Sequence, residues 1–148
     1  MVKTKYGKYI LTEPPTREYP KGENRPKMSP LLMLNGADIK GAFHVNCMWV
    51  NPGPNPGVHE AHVHPHDEVI GFIGTNPDDP KDLGAEAVLW IEDEKYVIKK
   101  SFLAYFPKGV VHCPLTVNDV KRPILHFDIQ LAPGRPEFTW VKDLKSKK

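Results

Sequence analysis

The sequence predicts a single all-β domain. Short apolar segments rich in β-branched and aromatic residues recur along the chain, and clusters of proline, glycine and asparagine separate them, such as NPGPNPG at 51–57 and TNPDDPKDLG at 75–84. No long window has the spacing of apolar residues that an amphipathic helix requires. Many short strands joined by turns are typical of an antiparallel β-sandwich or barrel.

The first part of the chain is expected to be an extended arm. Residues 12–30 read TEPPTREYPKGENRPKMSP. Proline lacks a backbone N–H and drives the residue before it towards extended geometry, so this segment is not a helix. We therefore divide the chain into a proline-rich arm at 1–39, which belongs to the same domain, a β-barrel at 40–142 and a basic tail at 143–148.

Five segments supply the predicted strands. They share β-branched and aromatic residues and are bounded by turns: AFHVNCMWV (42–50), EVIGFIG (68–74), AEAVLWIE (85–92), KYVIKKSFLAYFP (95–107) and PILHFDIQL (123–131). Tyr105 and Phe106 are expected in the core. Trp49, Trp90 and Trp140 are expected to be core or dimer-interface aromatics.

Composition excludes several classes of protein. The chain has 148 residues, of which 40% are hydrophobic, as expected for one globular domain. Its formal net charge of +2 is too small to indicate a nucleic-acid partner. No apolar run approaches the roughly 20 residues of a membrane helix, and the first residues lack the apolar core of a secretory signal. A cytoplasmic location is therefore expected, with Cys47 and Cys113 as free thiols and Cys113 buried.

The segment HEAHVHPHDE at 59–68 holds four of the seven histidines. Residues two apart in a strand face the same side, so His62 and His64 project together, and Glu68 has the same parity. A third imidazole can come from FPKGVVHC at 106–113, where a turn at Pro107 and Gly109 leads into His112 on a new strand. Imidazole and carboxylate groups in this pattern are candidate ligands of a divalent metal. The alternative is a polar cluster that binds no metal.

These two segments together resemble the two motifs of the cupin family. The first motif has His-x-His followed by glutamate and glycine, matched here by His62-Val63-His64, Glu68 and Gly74. The second centres on Pro-x-Gly-x-x-His, matched by 107–112. The resemblance spans residues 40–131 and implies a double-stranded β-helix, or jelly-roll barrel, with the metal ligands His62, His64, Glu68 and His112.

The departures from the cupin motifs lie at turn positions and beside the site. Pro56 stands where the first motif begins with glycine, and Gly74 comes one residue early. Ser101 and Thr116 replace the leading glycine and the final asparagine of the second motif. These departures affect the surroundings of the ligands more than the fold.

Three neighbours of the ligands are not expected to bind metal. His66 follows a proline in a turn and His59 lies in a loop rich in glycine and proline, so both are expected to face solvent or to support the ligands. Asp67 has the opposite parity to Glu68 and is expected to cap a turn or face solvent.

The segment ILHFDIQL alternates, which places His126, Asp128 and Gln130 on one face of a strand. If that face lines the barrel, His126 and Asp128 are candidate acid–base partners of a bound substrate. Polar faces of strands more commonly point to solvent, and that arrangement is the favoured expectation.

Three imidazoles and one carboxylate around a divalent ion leave a charge near +1, and a six-coordinate ion would keep two open positions. Such a site suits a bidentate ligand such as a hydroxy acid, an enediol or a diketone. With Fe it would support a dioxygenase, and with Mn, Ni or Zn an isomerase or decarboxylase. The alternatives are a non-catalytic sensor or ligand-binding cupin, and a barrel without chemistry.

The expected partners are a small-molecule substrate and a second copy of the chain. Small cupins resemble one another in forming homodimers, and the proline-rich segment 12–30 suits the covering of an open sheet edge. Neither nucleic acid nor a membrane is expected as a partner.

Overall fold

A computed structural model describes residues 4–14, 28–53, 59–133 and 137–141. Residues 15–27 of the predicted arm and the basic tail at 143–148 lie outside the described residues, and the expectations for them stay predictions. A short 3-10 helix spans Gly7–Tyr9. Within the described ranges, no helix has the length and apolar character needed to cross a membrane.

Strands account for nearly all the regular structure of the described residues, as predicted. They are β1 (Met28–Leu34), β2 (His44–Val50), β3 (His62–Val63), β4 (Glu68–Ile73), β5 (Asp82–Ile91), β6 (Glu94–Lys100), β7 (Phe102–Phe106), β8 (His112–Asn118), β9 (Ile124–Gln130) and β10 (Thr139–Trp140).

The strands form two five-stranded antiparallel sheets. The first sheet has the order β1-β2-β9-β4-β7 and the second has the order β10-β3-β8-β5-β6. The end of the segment predicted to be extended, Met28–Leu34, forms the edge strand of the first sheet and pairs with β2. The register of β1 against β2 shifts between Pro30 and Leu32. Pro30 has no backbone N–H to donate to the ladder, and prolines within sheets lie at edges or irregularities of this kind.

The interior of the first sheet changes from apolar to polar along its strands. Buried and half-buried residues alternate through β2 and β9, so every second side chain points inward. Three rows of inward side chains follow from the register across β2, β9 and β4: Met48–His126–Phe72, Asn46–Asp128–Ile70 and His44–Gln130–Glu68. The apolar end packs against buried residues of the second sheet such as Leu89, Leu115 and Val117.

Two expectations about aromatic residues are wrong in part. Phe106 is buried, but Tyr105 is 57% exposed, because adjacent residues of β7 point to opposite faces of the sheet. Trp49 and Trp90 are half-buried and Trp140 is 52% exposed, so the core alternative is wrong for all three tryptophans and the dimer-interface alternative stays a prediction.

Candidate metal centre

The four predicted ligands come together at the polar end of the barrel. His62, His64, Glu68 and His112 are all buried, and each offers a ligand atom within 4.8 Å of the others. His62 and His112 face each other across the β3–β8 pair of the second sheet. The parity of Glu68 suggested that it lies on the same strand as His62. It lies instead at the start of β4, in the first sheet. The two sheets face each other, and this brings the carboxylate to the imidazoles.

A backbone carbonyl fixes the orientation and tautomer of three imidazole rings. In each ring the Nδ1 atom lies close to a carbonyl oxygen, so Nδ1 carries the proton and donates it, and Nε2 keeps a lone pair. The Nδ1–oxygen distances are 2.5 Å from His62 to Glu60, 2.6 Å from His64 to Glu137 and 3.0 Å from His112 to Val110. The rings are therefore in the state that metal coordination requires.

The Nε2 atoms of His64 and His112 converge on the Glu68 carboxylate. They lie 3.3 and 2.7 Å from Glu68 Oε2, and none of these three buried atoms has a hydrogen-bond partner. With the protons on Nδ1, nitrogen and oxygen are both acceptors and repel each other unless a cation lies between them. Three imidazoles and one carboxylate are a ligand set for a divalent transition ion, so the residues fit such a metal.

Electrostatics favours the ionised form of Glu68. Burial alone would raise the pKa of this carboxyl, but hydrogen bonds from His112 and His64, which form when a proton takes the place of a metal ion on Nε2, outweigh burial and hold the pKa well below its usual range. Burial lowers the pKa of His64, but the interactions with Glu68 and with the Glu137 carbonyl together are larger, so the pKa is raised overall. A cluster that attracts positive charge this strongly is suited to a cation.

The turn before β8 is bonded to the segment that carries His64. Gly109 N–H donates to His64 O at 2.9 Å, and Val110 N–H donates to Pro107 O at 3.2 Å, which closes the predicted turn. Gly109 has φ 82°, a conformation that favours glycine. The Asp67 carboxylate accepts the Lys108 N–H at 2.9 Å and so caps this turn, as one of the two alternatives for Asp67 predicted.

A cavity of about 460 Å³ opens beside the four ligands. This volume suits a small organic molecule. The residues that line it are Met33, Asn35, His44, Asn46, His59, His62, His64, Glu68, Ile70, Asp128, Gln130, Phe138 and Trp140. The rings of Phe138 and Trp140 pack edge-on against His62, with centroids 6.2 and 5.7 Å away.

The polar face of β9 points into the barrel, and the favoured expectation that it faces solvent is wrong. His126, Asp128 and Gln130 are all buried. Each lies opposite an inward-facing residue of β2, and the other face of β9 carries the half-buried residues of the alternation. The polar row is therefore part of the cavity wall and its surroundings.

Asp128 lies at the centre of a buried hydrogen-bonded group. His44 Nε2 is 3.1 Å from Asp128 Oδ1, and Asn46 Nδ2 donates to Asp128 Oδ2 at 3.1 Å. Burial raises the pKa of Asp128, but the hydrogen bond from His44 and the nearby imidazoles outweigh burial and lower it. Sequence reasoning missed His44 and Asn46, although their alternation in AFHVNC was a usable signal.

His126 lies beneath the cavity and does not line it. Its side chain has no exposed surface, its Nδ1 atom is 3.1 Å from Gly71 O, and its ring stacks on Phe72 with centroids 4.4 Å apart. Burial lowers the pKa of His126, so its ring is neutral. Of the two predicted acid–base residues, the structure places Asp128 at the cavity and His126 behind it.

The remaining two histidines of the segment support the site. His66 Nε2 is 2.8 Å from Gln130 Oε1, and its ring stacks on His64 with centroids 5.0 Å apart. His59 lines the cavity, and its ring centroid lies 6.1 Å from His62 and 5.8 Å from His126. Burial, with a contribution from His126, lowers the pKa of His59 to about 4.

Comparison with known proteins identifies the architecture. No family model and no curated protein matches the sequence. Among solved structures, an uncharacterized conserved protein with a double-stranded beta-helix domain from Klebsiella pneumoniae subsp. pneumoniae MGH 78578 aligns with a TM-score of 0.51 and 19% identity, over 84% of this chain and 90% of that one. The chain has the cupin fold.

Two further cupin-like structures are similar at low identity. An oxalate oxidase in complex with the substrate analogue glycolate has a TM-score of 0.52 and 16% identity, over 88% of this chain and 63% of that one. A sugar phosphate isomerase from a cupin superfamily, from Silicibacter pomeroyi, has a TM-score of 0.49 and 18% identity, over 78% of this chain and 66% of that one. In this cupin barrel the two sequence motifs lie where the sheets meet.

Proposed function

We propose that this cupin is a metal-dependent enzyme that acts on a small oxygen-bearing organic molecule. One observation carries the proposal: three imidazoles and a carboxylate, all buried, offer ligand atoms within 4.8 Å of one another, and His62, His64 and Glu68 among them line a cavity of about 460 Å³. His62, His64, Glu68 and His112 would hold one divalent transition ion.

A bound ion would supply Lewis acidity, or with Fe the activation of dioxygen. The chain's own residues supply the rest. The carbonyls beside the three Nδ1 atoms keep the rings oriented, and Phe138 and Trp140 pack against His62 at the cavity. The Asp128 carboxylate is placed to accept a proton from a ligand in the cavity. His44 positions Asp128 through the bond to Oδ1.

The reaction would belong to one of two classes. With Fe the site would serve a dioxygenase-type reaction, and with Mn, Ni or Zn an isomerase- or decarboxylase-type reaction. The oxalate oxidase with bound glycolate is one example of a protein with this fold that takes a small hydroxy acid. That example supports the size of the substrate proposed here and leaves the reaction class to the identity of the metal.

Metal content tests the proposal. Wild-type protein purified without an affinity tag is expected to contain about one transition ion per chain by elemental analysis. Glu68→Gln removes the anionic ligand at nearly constant volume and is expected to retain less than about a tenth of the metal under the same dialysis. Glu86→Gln, on the second sheet and away from the cavity, is the matched control and is expected to keep the full amount. A wild-type protein that neither contains nor takes up a transition ion contradicts the proposal.

A further inference from the structure

Asp128 is the second carboxylate of the cavity and lies close to the first. Across the β4–β9 pair, Glu68 is opposite Gln130 and Ile70 is opposite Asp128. Asp128 is therefore a diagonal neighbour of Glu68 on the inner face, and diagonal neighbours have Cα atoms about 7–8 Å apart. A ligand that occupied open positions of an ion at Glu68 would meet Asp128 next.

Hydrogen-bond donors hold the Asp128 carboxylate in place. His44 and Asn46 each contact one carboxylate oxygen at 3.1 Å, and Gln130 Nε2 lies 3.5 Å from Oδ1. The side chain is only 7% exposed, so its negative charge acts inside the cavity with little screening by solvent. Oδ2 accepts from Asn46 and has a second lone pair that can accept from a ligand.

The two carboxylates set the charge that a ligand meets. A divalent ion with Glu68 would carry a formal charge of +1, and the Asp128 carboxylate places a negative charge beside it. We propose that Asp128 selects the substrate by charge: the cavity takes a compound that chelates the metal at one end and presents an uncharged hydroxyl to Asp128, and it rejects a compound with a second carboxylate there. This inference rests on the proposed function, because chelation requires the metal.

The expected size of the effect follows from electrostatics. Two unit charges about 7 Å apart at an effective dielectric constant of about 20 repel enough to weaken binding on the order of 10- to 50-fold. An uncharged hydroxyl avoids this repulsion, and where it comes within about 2.7 Å of the carboxylate it donates a hydrogen bond.

Glycerate and tartronate form a matched pair of probes. Both chelate through a carboxylate and the adjacent hydroxyl, and they differ in a distal hydroxymethyl group or a distal carboxylate. Calorimetric titration of the Zn²⁺-loaded protein gives the ratio of its affinities for glycerate and tartronate. We expect this ratio to favour glycerate at least about tenfold more than the same ratio measured for aqueous Zn²⁺. Asp128→Asn is expected to remove that preference, and Asp78→Asn, in the exposed loop after β4, is expected to keep it.

The outcomes separate this inference from the proposed function. A protein that cannot be loaded with metal overturns the proposed function, whatever the probes do. A loaded wild-type protein that binds tartronate as well as glycerate, or binds neither, overturns the charge selection and leaves the metal centre intact. An unchanged preference in a folded, loaded Asp128→Asn variant also overturns it.

Discussion

Three imidazoles at this site differ from ordinary buried histidines in what their nitrogens contact. In His62, His64 and His112, Nδ1 is hydrogen-bonded to a backbone carbonyl. For His64 and His112 the remaining nitrogen is buried against a carboxylate oxygen without a hydrogen bond. His126 also has its Nδ1 atom beside a carbonyl, yet its other nitrogen has no anionic neighbour at contact distance. The carboxylate therefore distinguishes the ligand cluster from the neutral histidine below it.

His59 makes the metal-free protein sensitive to acid. Its folded-state pKa is about 4, below the ordinary value of 6.5. Between those pH values the unfolded chain binds a proton that the folded protein does not, so stability falls as pH drops through this window. We expect His59→Gln to reduce the loss of unfolding free energy between pH 7 and pH 4.5 by about 1–3 kcal/mol.

Urea unfolding in the presence of EDTA measures this effect at the two pH values. His62 and His126 also have lowered pKa values, so the variant keeps part of the acid sensitivity. Equal losses in wild type and His59→Gln would contradict the assignment to His59.

At the scale of elements, two connections position the ligands His64 and His112. The link between β3 and β4 holds His64, and the turn between β7 and β8 precedes His112. They are joined by the Gly109–His64 backbone bond and by Asp67, whose carboxylate accepts from Lys108 N–H at 2.9 Å and from the Tyr105 hydroxyl at 2.8 Å. The spacing of His64 and His112 depends on these bonds.

Asp67→Ala should therefore weaken metal binding without removing a ligand. We expect the affinity for Zn²⁺ to fall by up to about tenfold, because the turn loses two bonds that fix it to the link. Competition with a chromophoric chelator measures the affinity. Asp78→Ala, which also removes an exposed carboxylate, serves as the control, and an Asp67→Ala affinity equal to that of wild type would show that the turn holds its position alone.

At the scale of the whole molecule, the sequence predicted the all-β barrel and the four clustered residues, because turn residues, strand periodicity and the two motifs are local signals. The direction in which the polar face of β9 points could not be predicted from local sequence signals. It depends on the pairing of β9 with β2 and β4, and Asn46 and Asp128 are 82 positions apart in the chain. His44 was missed for the same reason. Tyr105 is different: strand alternation alone would have shown that it and Phe106 cannot both point inward.

The pairing of β2 with β9 also affects the rate of folding. Among the described strands of the first sheet, only β1 and β2 are neighbours in both sequence and space, and the strand between β2 and β4 comes from far along the chain. Closing such long loops costs entropy before the contacts are gained, so folding of this topology belongs to the slow range of milliseconds to seconds. Glu68 and the two strand histidines lie on different sheets, so the complete set of four ligands belongs to the closed barrel.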